Sequence, residues 1–383
     1  MIPLTRRAAL GALATVPLAR AAQAQTATMK MASATVNDVQ HEWLRRYDAA
    51  LKARLGDRIT AEIYPASQLG AIPRMVEGLL LGTIESFVTP TSFVVPVDPR
   101  MAVFDAPGLF RSPEHLQRVI SDPEVRARAL AMLEGRGVKG IGIFYNSPVV
   151  VLSRRPIRSL ADFRGQKIRT FASPLQTRPM EHLGATPVPM ALSEVMPALQ
   201  SGAIDGLLAG IPVLSALRYF DVAKTVTEIH PAIVVSVFLV NRRWHDRLPV
   251  EIQNVMAEEG ARVDRDLFAW TTGAVEEANR AWIAGGGEII RLPPAEQERM
   301  MRRLRRRPDP DEVFRRSGFA PRFAHPREAA PQLRPGGWRR GWRQPRRRAW
   351  HDQRGTTPSP LPWRPGSLGR AGWTRPPTGN KPA

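Results

Sequence analysis

The chain has 383 residues, 43% of them apolar, which is enough for two domains with ordinary cores. It contains no cysteine, so disulfides, thiolate metal sites and thiol catalysis are excluded. The net charge of +20 invites a nucleic-acid or membrane partner, but residues 302–383 hold 21 of the 55 basic and 5 of the 35 acidic side chains, so +16 of it lies there.

In chain order, residues 1–24 read as an export signal. Arg6 and Arg7 form a basic start, 8–18 is a short, weakly apolar run, and Ala22-Gln23-Ala24 fits cleavage before Gln25. The paired arginines resemble a twin-arginine signal, and the Sec route stays open. The apolar run is well short of the roughly 20 residues of a membrane span. The expected mature protein is therefore soluble and periplasmic, with no membrane span of its own.

Strand and helix signals then alternate, which predicts an α/β fold with parallel strands. Residues 28–36 alternate apolar and polar as a strand. Residues 38–55 place Trp43, Tyr47, Leu51 and Leu55 at helical spacing. A strand is expected at 58–64, a helix at 73–81, short strands at 84–88 and 102–104, one helix over 113–135, and strands at 138–145 and 147–153. Residues 159–163 read as a helical turn. Residues 165–206 read as a strand ending at Arg169, a helix, a Pro-bounded strand and a second helix closed by Gly-Ala-Ile-Asp-Gly. An almost continuous apolar run at 233–240 suits a buried central strand. Residues 249–284 carry Ile252, Val255, Met256, Val263, Leu267, Trp270, Val275 and Ala278 on one helical face. A helix of about 50 Å is long enough to brace two lobes. One more strand follows at 288–291.

Beyond residue 301 the composition changes. Fourteen prolines and five of the nine tryptophans fall in 302–383, and arginine supplies 20 of the 21 basic residues. Such a segment buries too little apolar surface to fold alone, so a disordered basic tail is expected. Arginines interleaved with aromatics also suit RNA stacking, which gives the alternative of a nucleic-acid-binding protein. Translation past a frameshift in a GC-rich gene explains the same composition more simply.

The body offers no positive sign of catalysis or of a cofactor. The seven histidines are scattered without HxH or HxxxH spacing, so no metal site is indicated. No GxSxG, Walker loop, GxGxxG at a strand-to-helix turn, or paired carboxylates stand out. An exported α/β enzyme remains only as a further alternative. Arg169 is the leading candidate for binding. A guanidinium at a strand end in an α/β unit sits where small-molecule sites form, and it grips a carboxylate through two parallel N–H donors. Chemistry alone leaves it either such an anchor or a surface arginine.

Several motifs in order bear on that choice: IYPASQLG (63–70), FDAPGLF (104–110), SLADFRGQKIRT (159–170), GATPVPMALSEVMPALQSGAIDG (184–206) and FLVNRRWHDRLP (238–249). Together they resemble the DctP-type extracytoplasmic solute receptors of TRAP transporters over about residues 26–304. The resemblance implies a two-lobed, class II-like periplasmic binding protein with a cleft between α/β lobes and a long bracing helix. It implies lobe I at 25–147 plus about 235–275, lobe II at 148–234 plus about 276–304, and an atypical segment at 305–383. It implies a small organic acid as ligand, TRAP membrane subunits as partners, and no nucleic acid. Arg169 matches the family's carboxylate-binding arginine, and Leu192 a cleft-wall position. The segment after Gly206, with Ala209, matches a contact loop. Asn37, Thr91 and Asn146 are further polar contacts, each equally readable as a turn or cap residue. Two polar groups of the sialic-acid-binding members have no counterpart in Pro148-Val149-Val150 and Leu207–Gly210, which points to a more apolar pocket and a less polar acid than a sugar acid.

Overall fold

A computed structural model of the chain describes residues 26–304. The expected export signal and the Arg/Pro/Trp-rich segment lie outside the described residues. In the first half, strand β1 (Ala27–Ser33) leads into helix α1 (Val39–Leu55), β2 (Ile59–Tyr64), α2 (Ile72–Leu81), β3 (Ser86–Pro90), α3 (Pro113–Ser121), α4 (Pro123–Ala131) and β4 (Val138–Ser153). The second half runs β5 (Lys167–Thr170), α5 (Pro174–Leu183), β6 (Thr186–Pro189), α6 (Leu192–Ser201), β7 (Gly206–Gly210), α7 (Ile211–Ala216) and β8 (Thr225–Asn241). It closes with α8 (Arg242–Asp246), α9 (Val250–Ala284), β9 (Glu288–Ile290) and α10 (Pro294–Leu304).

The strands lie in the order β2-β1-β3-β8-β4-β7-β5-β6, with β9 against β8. The two longest, β4 and β8, are antiparallel and cross from one lobe to the other. Residues 138–147 of β4 pair with 241–234 of β8 beside β3, while 150–153 pair with 228–225 beside β7 and β9. Between these halves the ladder shifts register at 145–147 and again at 148–150. Proline is tolerated there because it interrupts no regular ladder bond, and Pro148 stands at that shift. The crossing point is thus the least regular part of the sheet.

Helix α9 ties the two halves together. Val255, Met256, Val263 and Leu267 pack into the core around Trp43 and Tyr47, whereas Ala278 and Trp282 pack into the separate core around Leu207 and Tyr219. These residues share one helical face, which buries the helix along its length. Its close approach to β4 needs Gly260, where a Cβ would lie 2.7 Å from the Ile141 carbonyl oxygen.

Several expectations are corrected. Residues 102–104 are not a strand but part of a 3-10 helix, Pro99–Asp105, started by Asp98 accepting from the Arg100 N–H. The single helix expected at 113–135 is two, because Pro123 has no N–H to give and Asp122 turns extended (φ −64°, ψ 124°) to end one helix and cap the next. The segment 207–210 is no loop but the buried strand β7. Residues 138–153 form one strand instead of two, and α10 was not anticipated.

Asp264 on α9 is the polar linchpin of this packing. Its carboxylate accepts from Trp43 Nε1 (2.7 Å), the Ile143 N–H (2.8 Å) and the Arg126 guanidinium, whose Nη2 also donates to the Ile141 carbonyl oxygen (2.8 Å). Burial pushes the Asp264 carboxyl above the usual range, with Arg126 opposing that shift. Asp264→Ala leaves a largely buried cation and two buried donors without their acceptor, so it should lower stability by about 3–5 kcal/mol. Urea denaturation checks this, and a loss below about 1 kcal/mol would contradict it.

Candidate ligand-binding site

The chain is built to hold Arg169 rigidly. A 3-10 turn, Leu160–Phe163, precedes β5 and is fixed by a reciprocal cap between Ser159 and Asp162. The Asp205 carboxylate accepts the Lys167 N–H at 2.8 Å, which sets the start of β5 against β7. Arg169 then lies between Val188 of β6 and Leu207 of β7, near the carboxyl ends of β5 and β6.

The Arg169 side chain has no solvent exposure. Its Nε donates to the Met190 carbonyl oxygen at 3.0 Å and its Nη1 to that of Leu208 at 3.1 Å. Its Nη2 is buried and unpartnered. The guanidinium carbon lies 4.8 Å from the Phe171 ring centre and 5.8 Å from that of Phe93, so two aromatic faces flank the charge. Among the described residues no carboxylate pairs with it. Burial lowers its pKa to about 10, partly offset by Tyr219 and Glu194, and so leaves it a cation at neutral pH.

A small cavity opens against this group. Leu192, Ala209 and Val213 form an apolar wall beside Arg169. The rest of the lining is mixed and includes polar groups. Asp38 caps α1, accepting from the His41 N–H (3.1 Å) and the Thr35 hydroxyl (2.8 Å). Burial raises its pKa to about 6, against the pull of those hydrogen bonds. Beside it the Gln40 Oε1 is buried with no donor. Asn146, at the sheet crossing, donates through Nδ2 to Ser236 Oγ at 3.0 Å. Gly210 completes the rim, where a Cβ would lie 1.9 Å from Ser147 Oγ and no side chain fits.

Of the residues expected from sequence, Arg169, Leu192, Asn146 and Ala209 line this one cavity. Two do not. Thr91 is buried behind the lining and donates to the Val235 carbonyl oxygen at 3.3 Å. Asn37 is exposed in a left-handed turn (φ 54°), its N–H donating to His41 Nδ1. Sequence reasoning missed Asp38, Gln40, Phe93 and Phe171. Asp38 was legible only as a helix start, and Phe171 stood two residues beyond Arg169, where a ring can reach the guanidinium. Phe93, 76 positions away, left no local signal. Among the described residues no cluster of His, Asp and Glu is placed to hold a metal ion, and no helix is long and apolar enough to cross a membrane.

Residues 31–312 match the family described as bacterial extracellular solute-binding protein, family 7 (DctP). The chain is 30% identical over 236 residues to the 2,3-diketo-L-gulonate-binding periplasmic protein YiaO of Escherichia coli (strain K12), covering 61% of this chain and 72% of that protein. It is 28% identical over 236 residues to the C4-dicarboxylate-binding periplasmic protein DctP of Vibrio cholerae, covering 62% and 70%. Among solved structures, a TRAP periplasmic solute binding protein from Anaerococcus prevotii with bound α/β-D-glucuronate superposes with a TM-score of 0.69 at 26% identity, over 76% of this chain and 94% of that one. One from Desulfovibrio salexigens with bound orotic acid gives a TM-score of 0.71 at 22% identity, over the same shares, a likeness of fold. The two-lobed sheet, the long bracing helix and the sequence match agree: this chain belongs to the DctP family of TRAP-type extracellular solute-binding proteins.

Proposed function

We propose that the protein is a periplasmic solute receptor that binds an organic acid by its carboxylate, closes on it and delivers it to a TRAP-type membrane permease. The observation that carries this reading is Arg169, a fully buried cation with no anionic partner among the described residues and a free Nη2. An uncompensated buried ion costs several kcal/mol, and a ligand carboxylate at Nη2 supplies both the missing acceptor and the counter-charge. The relatives agree in chemistry: the diketogulonate, dicarboxylate, glucuronate and orotate named for them all carry a carboxylate.

The polar groups of the lining extend the reading. Asp38 and the unpartnered Gln40 Oε1 are acceptors, so they favour a ligand whose far end carries a hydroxyl donor over one with a second carboxylate. The more apolar pocket expected from residues 148–150 and 207–210 is kept on the wall that Ala209 forms, with these acceptors added elsewhere in the lining. Lobe I is assigned to 25–147 with about 235–275 and lobe II to 148–234 with about 276–304. The separate cores around Trp43 and Leu207 support that division. Residues 1–24 are assigned as the export signal, in keeping with the periplasmic relatives.

Calorimetry with D-glucuronate, succinate and orotate tests the anchor. The protein should bind at least one of them, and Arg169→Met should weaken that binding about 30- to 5000-fold. The unliganded variant should melt at or above the parent temperature, because a buried ion without a partner has been replaced by an apolar side chain. Retained affinity would refute the assignment. Asp38 gives a pH test. Its folded-state pKa, about 6, exceeds the unfolded value of 3.8, so its contribution to stability is full below pH 3.8 and is lost as pH rises through 6. Asp38→Asn keeps the cap and removes that loss, worth about 3 kcal/mol. Its melting temperature relative to the parent should therefore be several degrees higher at pH 8 than at pH 4. A difference that stays constant with pH would count against a buried Asp38 carboxyl. The export assignment predicts a mature chain beginning at Gln25 in periplasmic extracts, and mass spectrometry finding an intact Met1 there would reject it.

A further inference from the structure

The two halves of the sheet carry segments that meet at a second place, outside the cavity at Arg169. Helix α5 follows β5 in one half, whereas Ser92 and Asp105 follow β3 in the other. Gln176, in the first turn of α5, reaches across. Its Nε2 lies 3.1 Å from Ser92 Oγ and 3.1 Å from Asp105 Oδ1. Ser92 Oγ itself donates to Asp105 Oδ1 at 2.6 Å, so the three side chains form a closed ring. None of them lines the cavity at Arg169.

Asp105 and Gln176 also line a second cavity whose other walls are largely apolar, Phe104, Leu175, Met180 and Ile233 among them. Burial raises the Asp105 carboxyl to about 6, and the groups that oppose the shift are the neutral side chains of Ser92, Ser173 and Gln176. Hydrogen bonds shielded from water in this way are stronger than exposed ones, and breaking them strands buried polar atoms. The three side chains bond one another in the ring, while Asp105 Oδ2 and Gln176 Oε1 remain buried without a partner. At the Arg169 cavity, by comparison, the Phe93 ring touches Phe171 edge-on at 5.3 Å, a contact without direction from hydrogen bonds.

We propose that Gln176 clasps Ser92 and Asp105 to hold the lobes together without ligand, as a closure-determining contact separate from the ligand cavity. The inference rests on the receptor reading only in taking opening and closing of the lobes as the working motion. The clasp fixes the closed fraction of the free receptor. It therefore scales the apparent affinity for whatever acid the closed form takes.

The absence of cysteine makes the test direct. Arg74→Cys on α2 and Gln200→Cys on α6, both exposed, accept spin labels in the full chain. Pulsed dipolar spectroscopy then reads the lobe-to-lobe distance with no ligand added. The labelled parent should show a short-distance population. Gln176→Leu should lower the closed-to-open ratio about 5- to 30-fold, and Ser92→Ala should act in the same direction by less. Circular dichroism confirms that each variant is folded, and Ser92→Ala decides alone if Gln176→Leu is not. Distributions unchanged by the variants, or a parent showing only the long distance, would overturn the clasp. Neither outcome bears on Arg169, because no acid is present.

Discussion

A guanidinium removed from water, with no carboxylate against it, is the constraint around which this molecule is organised. Burial of Arg169 is only partly compensated by two carbonyl oxygens and two aromatic faces. Those neutral partners leave the charge itself unanswered. A protein retains so costly a group where another molecule supplies the opposite charge, and a carboxylate meets the geometry of the free Nη2. Stability and binding therefore pull in opposite directions at this one side chain, which is how a binding site is told from a structural ion pair. Asp264 is the contrast: also a buried charge, but saturated by Arg126, Trp43 and a backbone N–H, and so structural.

The scaffold supports that site by separating rigid from less regular parts. The strand ends that carry Arg169 are pinned by the Asp205 bond and by parallel pairing on both sides. Helix α9 belongs to both cores and resists their separation along its length. The sheet is least regular where β4 and β8 cross, because the register shifts twice within a few residues. Asn146 sits at that crossing and also lines the cavity, so the cavity lies beside the irregular part of the sheet.

Much of this was legible from the chain. The period of α9, the start of α1 near Asp38 and the strand ending at Arg169 are local patterns, and local patterns survive folding. The failures are equally physical. Residues 102–104 look like a strand until Asp98 and Pro99 are weighed as a helix start. The segment 113–135 looks like one helix until Pro123 is given its missing N–H. In the site, Arg169 and Leu192 came from ordered motifs, Ala209 from the segment just after one, and Asn146 from its place at a strand end. Phe93 and the acceptor Gln40 come from lobe I and meet the others only through tertiary packing, which no local pattern encodes. Asn37 and Thr91 lie outside the cavity lining, one in a turn and one bonded to a backbone carbonyl, roles that polar residues near strand ends often serve.

The account stands on where a bound carboxylate goes. A crystal structure of the protein with an acid it binds should place a carboxylate oxygen at about 3 Å from Arg169 Nη2, opposite the apolar wall of Leu192 and Ala209. An acid whose carboxylate is held elsewhere, with that Nη2 still unpartnered, would contradict it.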